Sequence, residues 1–339
     1  MRRAEPVLQD MPFLVLESIT SRLDFKSRSS LRKCSPSLQQ AVDQTEMHLG
    51  CLSFVFTGCS AELKYREHGS KTEKRIEYRQ IGIDVLEKRG AKEYWVERAR
   101  YWKVFLGDLK CILKNPKLKI DVFSVYTSGI GSAMDELSVK KSFLSHLHSF
   151  FKSLNHRLDC QYFEVQNVKL QKDAMFFLPF LKPGSVRYIG IVGRVEVLPH
   201  RKINMDRVVR TEQWKQAVHA NIIGLLCSIP TRNYLHFETF SAQFESISME
   251  SVKEMIKHGI SSNNIQVMCL ACPIIDVTAI NTLVGPSSNP ARNREHIRMY
   301  ERTDASTDFK FLFHGGAIAF DGQKKALGEE EEQYDKPPI

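Results

Sequence analysis

The chain has 339 residues, of which 42% are hydrophobic and 26% charged, with a formal net charge of +9. That balance excludes wholesale disorder and is enough to bury a substantial core, with one large domain plus a small one expected from length. The opening "MRRAEPVLQDMP" interrupts its basic residues with Glu5 and Asp10, and no window holds the roughly 18 apolar residues of a membrane helix, so neither a secretory leader nor a membrane span is expected. A cytoplasmic or nuclear location follows, and in that reducing setting most of the eight cysteines are expected as buried thiols without a disulfide framework.

In "MPFLVLESITSRLDFKSRSSLRKCSPSLQQAVDQ", Val15, Leu16, Ile19 and Leu23 recur at three- and four-residue steps on one side of a helix that begins near Pro12. Leu31 sits in a second short helix. Ser35 and Pro36 supply the N-cap and first-turn proline of a third, which carries Leu38 and Val42. Three short helices cannot bury all their apolar side chains alone, so part of this face needs a partner inside or outside the chain.

From Gly50 to Tyr78, β-rich runs separated by Gly58 and His68-Gly69-Ser70 predict a short meander or hairpin. The following segment to Asn115-Pro116 places Trp95, Ala99, Trp102, Phe105, Leu106, Leu109, Ile112 and Leu113 on a helical stripe, read as core. Beyond it, extended runs starting at Leu118, Leu158, Ser185, Arg232 and Ile265 alternate with helical patterns over 137–154, 173–181, 211–227 and 248–258. Their spacing suits βα units of irregular length, arranged as a leucine-rich-repeat-like solenoid or a curved α/β sheet, with the solenoid preferred. Tyr162, Glu164 and Gln166 oppose Phe163 and Val165, and His236 and Glu238 oppose Leu235 and Phe237, so one sheet face is expected to stay open. "HIRMYERTD" and "FKFLFHGGAIAF" would add two edge strands, after a flexible turn in "LVGPSSNPARNREH". The acidic segment after Phe320 is expected to be disordered.

Chemistry-bearing motifs are few. Cys269-x-x-Cys272 lacks the second ligand pair of a structural zinc site, and Cys269 fits an inward strand position as a buried thiol. Gly129-Ile130-Gly131-Ser132 lacks a phosphate-loop pattern, and His314-Gly315-Gly316 has no GxSxG partner. His146 and His148 point apart on their helix. No cofactor, metal or catalytic residue is expected. The basic stretch "KYREHGSKTEKRIEYR" mixes in Glu and reads as a solvated hairpin, which leaves nucleic-acid binding as a minor alternative.

The opening segment resembles an F-box. Met11, Pro12, Val15, Leu16, Ile19, Leu23, Asp24, Phe25, Leu31, Leu38 and Val42 stand at the matching places. "LDFKS…LRK" and "SLQQAVD" resemble in particular the nematode-expanded F-box A family, in which an FTH domain follows the F-box. "LGDLKCILKNPKLKIDVFSV", "RTEQWKQAVHANI" and "SMESVKEMI" are similar to FTH segments, so the resemblance covers about residues 8 to 270. Together with the patterns above, it divides the chain into an F-box at 8–46, a hairpin and long-helix connector at 47–115, an FTH-like α/β repeat domain at 116–320 and a tail at 321–339. It also implies a non-catalytic substrate receptor of an SCF-type (cullin-RING) ubiquitin ligase. Pro12, Val15, Leu16, Ile19, Leu23 and Leu31 would dock on a Skp-type adaptor and through it a cullin, while the α/β domain holds an unknown protein target. Tyr162, Glu164, Gln166, His236 and Glu238 are the expected target-facing residues. Arg28 and Ser29 depart from the usual apolar pattern, and a charged Arg in an apolar interface must reach water or an acceptor. An interaction module that has lost adaptor binding is the alternative.

Overall fold

The computed structural model describes residues 8, 11–57, 59–127, 134–193, 201–261, 266–272, 277–285, 295–301, 307–314 and 317–324. The chain divides into two compact units, Met1–Leu225 and Leu226–Ile339, a division that falls within 116–320.

The first unit opens with α1 (Phe13–Arg22), α2 (Phe25–Leu31) and α3 (Pro36–Gln44). Each start has a local cause. Pro12 fixes an extended entry to α1, the Asp24 carboxylate accepts from the Ser27 amide at 2.8 Å, and Ser35 accepts from the Leu38 amide with Pro36 in the first turn. Leu16, Leu38 and Ala41 form a small core against which Leu8 and Leu31 pack.

A meander follows: β1 (Met47–Phe56), β2 (Ser60–Glu67), β3 (Lys74–Ile81), β4 (Asp84–Arg89) and β5 (Lys92–Val96), antiparallel throughout. Helix α4 (Tyr101–Leu113) then returns the chain to the other side of β1, where β6 (Leu118–Thr127) pairs with it in parallel. Next come α5 (Met134–Ser153), β7 (Asp159–Gln166), α6 (Gln171–Met175), a 3-10 turn at 178–180 and β8 (Tyr188–Val192). The segment β9 (Arg201–Asn204), α7 (Asp206–Val209), α8 (Glu212–Gln216) and β10 (His219–Ser228) completes the sheet. Its order is β5-β4-β3-β2-β1-β6-β7-β8-β10.

One face of this sheet is sealed. Leu52, Phe54, Phe123, Val125, Phe163, Val165, Ile189 and Ile191 are buried, and helix residues fill in above them. The ring centroids of Phe54 and Phe105 lie 5.6 Å apart and those of Phe56 and Phe143 3.9 Å. Alternate residues on the other face, including Ser53, Val122, Ser124 and Tyr188, are only half-buried.

In the second unit a 3-10 turn at 231–233 leads to β11 (Thr239–Phe244), α9 (Met249–Ser261), β12 (Val267–Ala271), α10 (Val277–Val284), β13 (Glu295–Glu301), β14 (Thr307–His314) and β15 (Ala317–Lys324). β11 and β12 are parallel, then β15, β14 and β13 follow antiparallel. Tyr234, Phe237 and Phe240 stack in its core, with Met255 against Tyr234, and Leu270 and Ile280 are also buried.

Several expectations need correction. The sheet is not a solenoid: hairpins carry it antiparallel from β1 to β5, whereas a solenoid continues by crossover at every repeat. Trp95 lies on β5 and is 58% exposed, because Gly90 turns the chain at φ +61 and Arg98, at φ +49, breaks the apparent stripe before α4 starts. Helix α8 stops at Ala217, where the backbone becomes extended, so 219–228 is strand rather than helix. The run from Arg232 is a 3-10 turn and loop, and strand begins only at Thr239.

Cys269 is exposed and Cys272 buried, since Met268 and Leu270 take the inward positions of β12. None of the eight cysteines is in a disulfide, and Cys34, Cys59, Cys111 and Cys269 are exposed, more than the expectation of mostly buried thiols allowed. Residues 321–324 extend β15 by pairing with β14, so they are not part of a disordered tail. The acidic run after 324, the glycines at 129, 131, 315 and 316 and the turn at 286–294 lie outside the described residues. Among the described residues no helix is long and apolar enough to cross a membrane.

Candidate docking surfaces

The N-terminal end of α1 carries an uncovered apolar run. Leu14 is 75% exposed, with Met11, Pro12, Phe13 and Val15 also exposed. Large apolar side chains left contiguous in water mark a contact site more often than scattered ones do. Of the expected adaptor residues, Pro12 and Val15 lie in this run, Ile19, Leu23 and Leu31 are half-buried, and Leu16 is only 4% exposed. Leu16 is thus a core side chain, the inward member of the helical stripe. Phe13 and Leu14 escaped the periodicity because outward apolar residues carry no signal of their own beside inward ones.

Arg28 turns out to have an internal role. Its guanidinium donates from Nε to the Leu23 carbonyl at 2.9 Å, from Nη1 to Glu46 at 2.8 Å and from Nη2 to Ser21 at 2.9 Å. It therefore caps the C-terminal end of α1 and ties it to the start of the meander, where a cation is favoured. A bidentate pair from Arg32 to Asp43, at 2.7 and 3.0 Å, holds α2 to α3.

Buried polar groups anchor this helical unit to the sheet. The Thr20 and Thr45 hydroxyls lie 2.6 Å apart, Asn115 Nδ2 donates to the Thr45 carbonyl at 3.0 Å, and the Lys117 amide donates to Asn115 Oδ1 at 2.8 Å. Asn115, which the sequence marks only as a helix stop, is thus a joint.

The half-buried sheet face is the second surface. Tyr162 and Tyr188 stack at 3.9 Å, Tyr162 Oη donates to Glu164 at 3.3 Å, and Gln166 Nε2 donates to the same carboxylate. Burial, then Tyr188 and Glu164, raise the Tyr162 phenol above its ordinary value, so it stays a hydrogen-bonding hydroxyl. Gly190 pairs with Glu164 across the sheet, and a Cβ there would meet Glu164 Cγ at 2.9 Å. On the next strand Asn221, opposite Gly190, keeps a buried Oδ1 without a hydrogen-bond partner among the described residues. The glycine thus makes room for the Glu164 side chain beside the tyrosine pair, and the Asn221 amide oxygen is an unused acceptor. Tyr188 and Asn221 were invisible to the alternation argument, which finds a face but not its neighbours across strands.

His236 and Glu238 lie in the second unit and not on a strand. His236 is exposed against the Phe237 ring at 4.0 Å, and the Glu238 carbonyl accepts from the Gln266 and Val267 amides. The Glu238 carbonyl thus starts β11–β12 pairing, whereas Tyr162, Glu164 and Gln166 belong to the first unit.

Three further polar side chains converge at the foot of β1. His48 Nε2 lies 2.7 Å from Asp121 Oδ1 and His68 Nδ1 2.8 Å from Asp121 Oδ2, with the imidazole rings stacked at 3.8 Å. Burial pushes the Asp121 carboxyl up, but the two imidazole hydrogen bonds outweigh it and hold it below its ordinary value. These residues stand 20 and 53 positions apart, from 48 to 68 and from 68 to 121, so no local motif could reveal them.

Comparison with known proteins finds two domain families in the chain. The F-box domain model matches residues 8–49 and the FTH domain model residues 141–287. F-box A protein 224 of Caenorhabditis elegans is 23% identical over 303 residues, covering 86% of this chain and 73% of that protein. No solved structure matches the chain. The chain therefore carries an F-box domain and an FTH domain, consistent with the nematode F-box A family.

Proposed function

We propose that this protein is the non-catalytic substrate receptor of an SCF-type, cullin-RING ubiquitin ligase. The F-box docks on a Skp-type adaptor, and the open sheet face of the first unit holds a protein target for ubiquitin transfer by other subunits. The observation that carries this reading is the apolar run at the start of α1, uncovered in a domain matched by the F-box model. Pro12, Phe13, Leu14 and Val15 form the adaptor contact, with Ile19, Leu23 and Leu31 at its margin and Leu16 holding the helix in place from beneath. Stable interfaces bury about 1,600 Å² in total and draw most of their affinity from a few central side chains. For the target, Tyr162, Tyr188, Glu164 and Gln166 present aromatic area and polar groups on a rigid strand scaffold.

Co-purification with a recombinant Skp-type adaptor tests the docking half. The wild-type chain is expected to capture the adaptor, and Leu14→Asp with Val15→Asp to abolish capture without loss of helical or sheet signal, since both side chains point to water. Capture that survives this double change would overturn the assignment of the surface. A wild-type chain that fails to capture any adaptor would favour an interaction module with a degenerate F-box.

A further inference from the structure

We propose that His48, His68 and Asp121 form a binding site for a divalent transition-metal ion of the zinc class, with water in the remaining coordination positions. Among the described residues these are the His, Cys, Asp and Glu side chains whose donor atoms gather as a group, all within 4.8 Å of one another. Two imidazoles and a carboxylate match the ligand preference of zinc and its first-row neighbours, and three protein ligands leave an open position.

The backbone prepares the cluster. His48 lies near the start of β1, Asp121 on the adjacent parallel strand β6, and His68 in the turn that follows β2 on β1's other side. The His68 amide donates to the His48 carbonyl at 3.1 Å, which fixes that turn against the strand. The β1–β2 register shifts between Leu49 and Cys51, immediately beside His48. Such irregularities redirect side chains and recur near functional sites. Three segments separated widely in sequence thus converge on rigid supports, as a preorganised site requires.

A hydrogen-bonded clasp alone would need one imidazole per carboxylate oxygen and nothing more. Here the two rings also stack, within 5° of parallel, which sets His48 Nε2 and His68 Nδ1 side by side along the two oxygens of one carboxylate. Ligands around a tetrahedral ion held at about 2.0–2.1 Å lie about 3.3 Å apart. The donor atoms lie within 4.8 Å of one another, so closing to that separation requires a turn of the His68 side chain, which is 58% exposed, while His48 and Asp121 lie on paired strands. On binding, the metal replaces the hydrogen-bonding protons at His48 Nε2 and His68 Nδ1, each neutral ring then carrying its proton on the opposite nitrogen. The proposal is independent of adaptor docking and of the target.

The test is a titration of the full chain, stripped with chelator, with zinc and with cobalt(II) as spectroscopic probe. Expected are one ion per chain, a higher melting temperature with the ion, and cobalt d–d bands without sulfur-to-metal charge transfer. His68→Ala, which removes an exposed side chain, and Asp121→Asn are each expected to weaken binding about tenfold or more with the fold retained by circular dichroism. Equal affinity and stoichiometry in wild type and His68→Ala would overturn the site. So would a sulfur charge-transfer band as the main cobalt signal, which would assign the metal to the exposed thiols Cys34, Cys59, Cys111 or Cys269. No binding by the wild type overturns it directly and leaves the cluster a clasp.

Discussion

Asp24 shows how one side chain couples motif to fold. In the F-box pattern it follows Leu23, and in the structure it caps α2 by accepting from the Ser27 amide at 2.8 Å. Hydrogen bonds from Ser27 hold its carboxyl below the ordinary 3.8, with Lys74 adding attraction and burial opposing. A depressed carboxyl stabilises the fold above its unfolded value and loses that contribution as pH falls through its lower folded value. Asp24→Ala is expected to cost about 1 kcal/mol at pH 7, the usual worth of an N-cap. The difference from wild type should shrink once pH falls below 3.8 and close as the native carboxyl protonates. Urea unfolding of both proteins at neutral and acid pH checks this, and a difference that does not change with pH would mean that the carboxylate is not the stabilising group. Arg28 makes the complementary point. Its chemistry looked unsuited to an apolar interface, yet its acceptors are carbonyls of its own chain, contacts that a linear pattern does not display.

At the scale of elements, legibility followed the length and purity of the pattern. β6, β7, β8 and β12 were readable because alternating or continuous apolar runs met clear turn residues, and α9 because its cap and period agreed. β10 was not. Trp214, Val218, Ile222 and Leu225 imitate helical spacing across what is a short helix and then a strand, and the break at Ala217 has no glycine or proline to announce it. The region before α4 failed for the same reason, with Trp95 and Trp102 seven positions apart (102 − 95) on the apparent stripe. The structure separates the two tryptophans, and stability measures the separation. Trp102, 6% exposed on α4 with its ring against His146 of α5, is expected to cost about 3–5 kcal/mol when replaced by Ala. Trp95→Ala on the exposed strand β5 should stay within about 0.5 kcal/mol of wild type. Similar losses in both variants, measured by chemical denaturation, would place Trp95 in a packed environment and contradict the hairpin.

For the molecule as a whole, periodicity identified a helical module and a β-rich body but could not say how one is joined to the other. Side chains distant in sequence make that joint, above all Asn115, whose 5% exposure leaves its amide no water to exchange with. Asn115→Ala strands the Thr45 carbonyl and the Lys117 amide, and the expected cost is about 1–3 kcal/mol. The larger consequence concerns coupling. A partner that binds only the folded state stabilises it by about 2.7 kcal/mol at a hundred times its dissociation constant. If adaptor docking on α1 is transmitted through Thr20, Thr45 and Asn115, hydrogen-exchange protection should rise along β1 and β6 as well as in the helices when adaptor is added to the wild type. In Asn115→Ala the adaptor should still be captured, because its contact run is untouched, while the gain in protection becomes confined to residues 13–44. Equal gains along β6 in both proteins would show that the continuous chain from α3 into β1 suffices, and that the buried amide carries stability without carrying the signal.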